Sequence, residues 1–341
     1  MEKIKQANLV GRGGACFPVA TKWLAVKNAV GAKKYVVCNA AEGEPGVIKD
    51  GYILEHFGDK VIYGLKIAMD FLSFDSAGNR SGIKTYIFIN HAYYKKFNKK
   101  FASLLKNLKI ELVIKPFGAG YIGGEESAVL NAIEGEKIEP RLRPPFPTTS
   151  GLWGCPTLIN NVETFYNVSL VKSGQFLNKR FYSLTGDCMN EGVFDLPDSY
   201  TIARVLKETD NYPKFPFFVQ TGGGASGEVF NSQQLKRPVQ GAGSITIHSL
   251  AKTDFKKMIK SWLDFYVDET CGQCTPCREG TLRLKEILVE DKVDWVLFNS
   301  LLDNLKDTSL CALGASVPIP IKSFINNVWR WAISEAKLKY D

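Results

Sequence analysis

The stretch Tyr35-Val-Val-Cys38-Asn39-Ala-Ala-Glu42-Gly43-Glu44-Pro45-Gly46 decides how this chain folds. Its first half reads as a strand, and a Gly- and Pro-rich acidic loop ends it. Two more strand-like runs follow, Tyr86-Ile-Phe-Ile-Asn90 and Glu111-Leu-Val-Ile-Lys115. Between the strands Val61, Ile62, Leu65, Ala68 and Met69, then Phe97, Phe101, Leu104 and Leu105, recur at helical spacing. Strand and helix taking turns predict a parallel sheet in an α/β domain. Ligands of open α/β sheets bind outside the carboxyl ends of the strands, so the loop from Asn39 to Gly46 is a candidate site. Glu42 and Glu44 can orient a ring or a ribose there; a solvated turn is the plain alternative.

Beyond about residue 172 the texture changes. Phe181-Tyr-Ser-Leu-Thr185, Gly192-Val-Phe-Asp-Leu196, Pro216-Phe-Phe-Val-Gln220 and Ser244-Ile-Thr-Ile-His248 read as short strands, with one helix at Thr201 to Leu206. After residue 252 helical periodicity takes over, in Leu282, Leu284, Ile287 and Leu288 and again in Trp295, Leu297, Leu301 and Leu305. The expected organisation is therefore an α/β domain over 1–172, a small α+β module over 173–250 and a helical domain over 251–341. A chain of 341 residues is long enough for two or three cores. No internal repeat or low-complexity linker interrupts it.

Composition narrows the class. Apolar content of 45% is ordinary for a globular protein, and no run approaches the roughly 18 apolar residues of a membrane span. The N-terminus lacks the apolar core of a signal peptide. These features predict a soluble cytoplasmic protein without membrane insertion. The net charge of +8 is dispersed, with only short clusters such as Lys95-Lys96 and Lys99-Lys100, so it reads as a solvated surface and not as a nucleic-acid footprint. Eight cysteines are too few for a disulfide scaffold. Cys16, Cys38, Cys155 and Cys188 are scattered, which suits a reducing compartment.

The other four are not scattered. Cys271-Gly-Gln-Cys274-Thr-Pro-Cys277, with a distant Cys311 in Ser309-Leu-Cys311-Ala-Leu-Gly, suits an iron–sulfur cube: three thiolates grip from one loop and a fourth closes the far corner. Zinc competes, but structural zinc usually draws two separated Cys-x-x-Cys knuckles. The sequence places these cysteines on loops of the helical domain. Elsewhere Gly11-Arg-Gly13-Gly14-Ala-Cys-Phe17-Pro18 lets backbone N–H groups approach a phosphate, although glycine loops also serve as plain turns. Lys22 is a nearby cation for a phosphate or an anionic ring. A second acidic loop, Gly118-Ala-Gly120-Tyr-Ile-Gly123-Gly124-Glu125-Glu126, leads into an amphipathic helix whose dipole is itself sufficient reason for the acids. Pro140-Arg-Leu-Arg143-Pro-Pro-Phe146-Pro offers a cation and an exposed aromatic for a planar base. Asn160-Asn161-Val-Glu-Thr164 offers amides and a hydroxyl for phosphate or ribose. The plain alternatives are a loop stiffener and a helix cap.

In order and spacing these segments resemble the NADH-oxidising flavoprotein component of respiratory complex I, the family of NADH-quinone oxidoreductase F subunits, with its relatives in NAD-reducing hydrogenases and formate dehydrogenases. The resemblance runs from about residue 5 to the C-terminus. It implies a Rossmann-like FMN domain, a β-grasp-like module and a helical bundle carrying one [4Fe-4S] cluster. The FMN residues it implies are Gly11, Gly13, Gly14, Lys22, Asn39, Glu42, Gly124, Glu125, Asn160, Asn161 and Thr164. Those for NADH are Phe17, Glu44, Glu126, Arg143 and Phe146, with the two aromatic rings sandwiching adenine. Glu42 and Glu44 stand as the catalytic acids, and Cys271, Cys274, Cys277 and Cys311 as the cluster ligands. The implied activity is hydride transfer from NADH to FMN, then single-electron transfer through the cluster to a thioredoxin-like [2Fe-2S] subunit and further iron–sulfur subunits of a redox complex.

Several positions depart from the family pattern: Ala41 stands where an Asp is usual, Cys16 replaces a glycine, Leu24-Ala25 lacks an aromatic, and Tyr121 comes one residue early. Ala41 and Cys16 motivate an alternative, a non-catalytic cluster-bearing subunit with a degraded nucleotide site. A standalone flavin reductase is a third reading. The chain begins almost at the glycine loop and carries no added ferredoxin or thioredoxin-like domain, so its electrons are expected to need a partner.

Overall fold

The computed structural model describes residues 1–74, 78 and 80–333. The chain forms two compact units, one of residues 1–43 and 48–181, the other of residues 44–47 with the chain from 182 onward. The last residues of the expected helical domain, 334–341, lie outside the described residues.

In the first unit the helices are α1 (Glu2–Gln6), α2 (Val19–Asn28), α3 (Lys49–Leu72), α4 (His91–Leu104), α5 (Glu126–Glu134) and α6 (Val162–Ser173). The strands β1 (Lys33–Ala40), β2 (Gly82–Ile89), β3 (Ile110–Ile114) and β4 (Thr157–Asn161) make one sheet in the order β3-β2-β1-β4, with every pairing parallel. This is the expected α/β architecture. β1 is interior, and Tyr35 through Cys38 are all buried, the continuous apolar reading that a sheet covered on both faces demands. One face packs Tyr35, Val37, Tyr86, Phe88 and Ile159 against Val129 and Leu130 of α5. In sequence β4 reads only as a polar ligand-binding or capping segment. At five residues it is too short to show a period, and the strand is defined by its register against β1.

The second unit contains β5 (Lys179–Gly186), β6 (Gly192–Pro197), α7 (Ile202–Glu208), β7 (Phe217–Thr221), β8 (Glu228–Asn231) and β9 (Ser244–Ser249). The sheet order is β6-β5-β9-β7-β8; β9 lies parallel to β5 and antiparallel to β7. First and last strands thus pair side by side at the centre, with a helix after the second strand, which is the β-grasp arrangement. Ile202, Val205 and Leu206 of α7 pack on Tyr182, Leu184, Val219, Ile245 and Ile247. At four residues, β8 is too short to be seen as alternation.

The remaining helices are α8 (Phe255–Glu269), α9 (Thr275–Val289), α10 (Trp295–Thr308), α11 (Ala312–Ser316) and α12 (Pro318–Phe324), followed by a π-helical turn at Ile325–Trp329. The buried stripe of α9 is Cys277, Thr281, Leu284, Ile287 and Leu288, and that of α10 is Phe298, Leu302 and Leu305. Leu282 and Leu297, part of the apolar face that periodicity predicts, are 42% and 39% exposed. Cys277 also corrects the sequence reading, since it lies in the first turn of α9 and not on a loop.

α3 and α6 cross with almost no space between them. A Cβ added at Gly64 would stand 2.0 Å from the carbonyl oxygen of Phe165, a backbone atom that cannot swing away. Gly64→Ala should therefore destabilise by about 1–3 kcal/mol through overpacking, despite the roughly 1 kcal/mol that alanine gains in helix propensity. Chemical denaturation measures it, and an unchanged or higher midpoint would show that the helices can separate without cost.

Candidate functional site

The strand order β3-β2-β1-β4 puts a topological switch point between β1 and β4, where connections leave in opposite directions and where open α/β sheets bind ligands in a crevice outside the carboxyl ends. The glycine loop is carried to this place by its own hydrogen bonds. Gly11 N donates to Phe17 O at 2.9 Å, closing the loop, and Val19 N donates to Leu9 O at 2.9 Å, setting where α2 begins. Arg12 N then donates to Thr164 Oγ1 at 2.9 Å. A Cβ at Gly13 would lie 3.2 Å from Asn161 Cβ, so the loop presses against the start of α6. Gly14 meets nothing, but its φ of +113° is left-handed backbone that favours glycine.

The three amides implied for FMN are committed within the protein. Asn39 Nδ2 donates to Gly124 O at 2.9 Å while its Oδ1 accepts from Ala41 N at 3.1 Å, joining the end of β1 to the acidic loop. Asn160 Oδ1 accepts from Trp23 Nε1 at 2.9 Å. Asn161 caps α6, its Oδ1 accepting from Glu163 N at 3.0 Å and from Lys49 Nζ at 3.1 Å, and its Nδ2 donates to Asp50 Oδ2 at 2.6 Å. The helix-cap alternative is thus observed for Asn161, and these amides build the wall of the crevice. What the wall presents is backbone: a glycine loop on the N-terminus of a twelve-residue helix, where orphan N–H groups and the helix dipole favour an anion. The donor set and the tight glycines fit a phosphate-bearing mononucleotide.

Behind that wall lies a buried ion network that the sequence reading missed. Lys49 Nζ is 2.6 Å from Asp50 Oδ1 and 3.2 Å from Glu163 Oε2, with all three side chains almost fully buried. The surrounding carboxylates push the Lys49 ammonium above its ordinary value despite its burial. Glu42 accepts from Asp50 N at 3.0 Å and from the Tyr93 hydroxyl at 2.6 Å. Burial and the neighbouring Asp50 push the Glu42 carboxyl well above the ordinary carboxylate range. Charged residues beside a Gly- and Pro-rich loop read as a solvated helix start; only the interior placement shows otherwise.

A second ion cluster frames the acidic loop. Glu125 is the N-cap of α5, with Oε2 accepting from Ser127 N at 2.8 Å and Ala128 N at 3.0 Å. Its Oε1 lies 2.5 Å from Arg143, which is also 3.4 Å from Glu126. Glu126 in turn pairs with Lys22. Lys22, Glu125, Glu126 and Arg143 are thereby brought together, as are Gly124 and Ala41, whose carbonyl would stand 3.3 Å from a Cβ on Gly124. Phe17 and Phe146 are 52% and 54% exposed, costly for rings without a partner. Glu44 belongs to the second unit, where its Oε1 accepts from Ala225 N at 3.0 Å and Ser226 N at 3.1 Å.

The cysteine quartet lies in the second unit. Cys274 is the N-cap of α9, Cys277 sits in that helix's first turn and Cys311 is the N-cap of α11. Burial pushes the Cys277 thiol up to about 11; the hydroxyl of Thr270 opposes this, and Cys274, Cys311 and Cys271 add to it. The three other members of the quartet are thus its near neighbours. Among the described residues no three His, Cys, Asp or Glu side chains converge on a point that could hold one metal ion.

A family model described as the Nuo51 FMN-binding domain matches residues 4–170, and one described as the NADH-ubiquinone oxidoreductase-F iron-sulfur binding region matches 257–330. The chain is 32% identical to the NADH-quinone oxidoreductase F subunit of Streptomyces coelicolor, over 94% of this chain and 79% of that one. To the protein of the same name from Aquifex aeolicus it is 30% identical, over 92% and 80%. Against the alpha subunit of the NAD-reducing hydrogenase HoxS of Cupriavidus necator it is 31% identical, over 94% of this chain and 58% of the relative. It superposes on a chain of the NAD+-reducing [NiFe]-hydrogenase in the H2-reduced state with a TM-score of 0.86 at 25% identity, covering 96% of this chain and 60% of that one.

Lys49→Met should strand Asp50 and Glu163 in the interior and cost about 3–5 kcal/mol. Equilibrium unfolding of the purified variant would show this as a large drop in midpoint; a loss below about 1 kcal/mol would mean that the network is relaxed by water or proton uptake.

Proposed function

Because the chain belongs to the family of NADH-quinone oxidoreductase F subunits and carries its FMN-binding and iron–sulfur-binding regions in that order, we propose that it is an electron-input subunit that takes hydride from NADH and delivers single electrons to a partner. One observation carries the reading: the glycine loop lies on the N-terminus of α6 at the switch point of a parallel sheet. When bound, FMN supplies the chemistry that accepts a hydride and releases its electrons one at a time.

The chain's own residues supply position and electrostatics. Gly11, Gly13 and Gly14 admit a phosphate to backbone N–H groups beside Thr164. Asn39, Asn160 and Asn161 hold the walls, and Gly124 and Glu125 form the facing edge. Lys22, already paired with Glu126, offers positive charge, and the Glu42 carboxyl, raised by burial and Asp50, is a group that can hold a proton. Phe17 and Phe146 stack on adenine, with Glu126 and Arg143 beside them. For Glu44 the proposal rests on the family resemblance. Cys271, Cys274, Cys277 and Cys311 hold a [4Fe-4S] cluster. We assign the domains to 1–172, 173–250 and 251–341, and the electron acceptor to a thioredoxin-like [2Fe-2S] subunit with further iron–sulfur subunits of a complex. No helix among the described residues is long and apolar enough to cross a membrane. Cytoplasmic placement, with any membrane association through partners, completes the proposal.

Anaerobically purified protein should release FMN on denaturation, contain about four irons and four sulfides per chain, and reduce ferricyanide with NADH. Cys274→Ala should abolish the cluster's EPR signal while retaining flavin. A protein that holds the cluster but takes up no flavin on reconstitution would be the non-catalytic subunit suggested by Ala41 and Cys16. Phe146→Ala should keep both cofactors and raise the KM for NADH about 5- to 150-fold, the equivalent of about 1–3 kcal/mol of base stacking. An unchanged KM would place the dinucleotide elsewhere.

A further inference from the structure

Two hydroxyl groups lie near the cysteine quartet. Thr270 Oγ1 lies 3.3 Å from Cys277 Sγ, a pair in which either atom can donate, and accepts from Gly272 N at 3.3 Å, so this hydroxyl has partners. Ser309 is different: its Oγ is buried and has no hydrogen-bond partner among the described residues. The backbone of Ser309 ends α10, where its N–H donates to Leu305 O at 3.2 Å. Its side chain is held in a tight place. A Cβ on Gly314 would stand 2.4 Å from Ser309 Oγ and 3.1 Å from Cys277 Cβ, so glycine at 314 is what lets the serine hydroxyl and the cysteine approach one another.

A buried hydroxyl without a partner costs free energy that Ala at the same position would not incur. The polar acceptor missing from its surroundings is of the kind a cluster supplies, since sulfide and thiolate sulfurs accept hydrogen bonds and carry negative charge that grows on reduction. We propose that Ser309 donates its hydroxyl proton to a sulfur of the cluster and sets the cluster's reduction potential, without being needed to hold the cluster in place. The inference rests on the cluster reading above. A donor in this position stabilises the reduced form more than the oxidised form, because one electron has been added and no proton has moved. It therefore raises the potential and favours flow of electrons into the cluster.

The test is an EPR-monitored redox titration of the full chain with cofactors loaded. Ser309→Ala should keep the signal and lower the equilibrium constant for reduction about tenfold, a downward shift of about 59 mV for a one-electron couple. Ser309→Thr, which keeps the hydroxyl, should restore the wild-type midpoint. If the alanine variant does not hold the cluster, Gly314→Ala reads the same quantity, because it retains the serine but puts a methyl group 2.4 Å from Oγ, which must move away. A wild-type midpoint in whichever of the two holds the cluster overturns the proposal. Should wild-type protein itself give no sulfide and no EPR signal, the cluster reading fails first.

Discussion

Lys49 is a buried cation held between Asp50 and Glu163, and through Asn161 it reaches the end of β4. This single charge fixes the relation between the start of α3 and the start of α6, the two helices that flank the switch point. Taking ions out of water costs several kcal/mol each, so such a group persists only where every partner is in place. Asp50 also accepts from Asn161 at 2.6 Å and Glu163 Oε1 accepts from Phe181 N at 3.0 Å, while Glu163 Oε2 is held by its ion pair with Lys49 alone among the described residues. The cap of α6 is therefore part of an ion network, and the crevice inherits its rigidity. A binding wall made of backbone groups works only if that backbone does not move, and the network supplies this without putting a charge of its own into the crevice.

Packing reinforces the same constraint from the other side. α3 and α6 approach so closely at Gly64 that the helix axes cannot shift without separating backbone from backbone. The interior helix thus has two anchors along its length, an electrostatic one at its start and a steric one further on. The glycine loop rests on this frame through Thr164 and Asn161, which explains why a segment with so little side chain can hold a defined shape.

Much of this is legible in the sequence alone. Three of the four strands of the parallel sheet are apolar runs between helical periods, and the Cys-x-x-Cys-x-x-Cys run states its chemistry in its spacing. β4 and β8 are not legible, because strands of four or five residues with polar ends show no period and exist through their neighbours. Leu282 and Leu297 mislead, since sequence periodicity gives an apolar face but not which edge of it meets the next helix. The role of the amides is half legible. Asn160 and Asn161 stand out as site residues, yet the choice between ligand and cap depends on whether Trp23, Lys49 and Asp50 lie within reach, and those residues are more than a hundred positions away. Lys49 and Asp50 themselves carry no sequence signal, since charge at a helix start is normally solvated.

The cysteine quartet shows how local structure and cofactor chemistry divide the work. Burial holds the Cys277 thiol well above the ordinary thiol range, which opposes formation of the thiolate that binds iron. The same residue sits in the first turn of a fifteen-residue helix, and Cys274 caps it, so the positive end of the dipole lies where thiolate charge would develop. Pro276 at the start of that helix removes a backbone N–H that would otherwise need a partner. The helix dipole thus favours negative charge at this place while burial opposes it at Cys277, and a cluster held there would displace the thiol proton as its ligand bond formed.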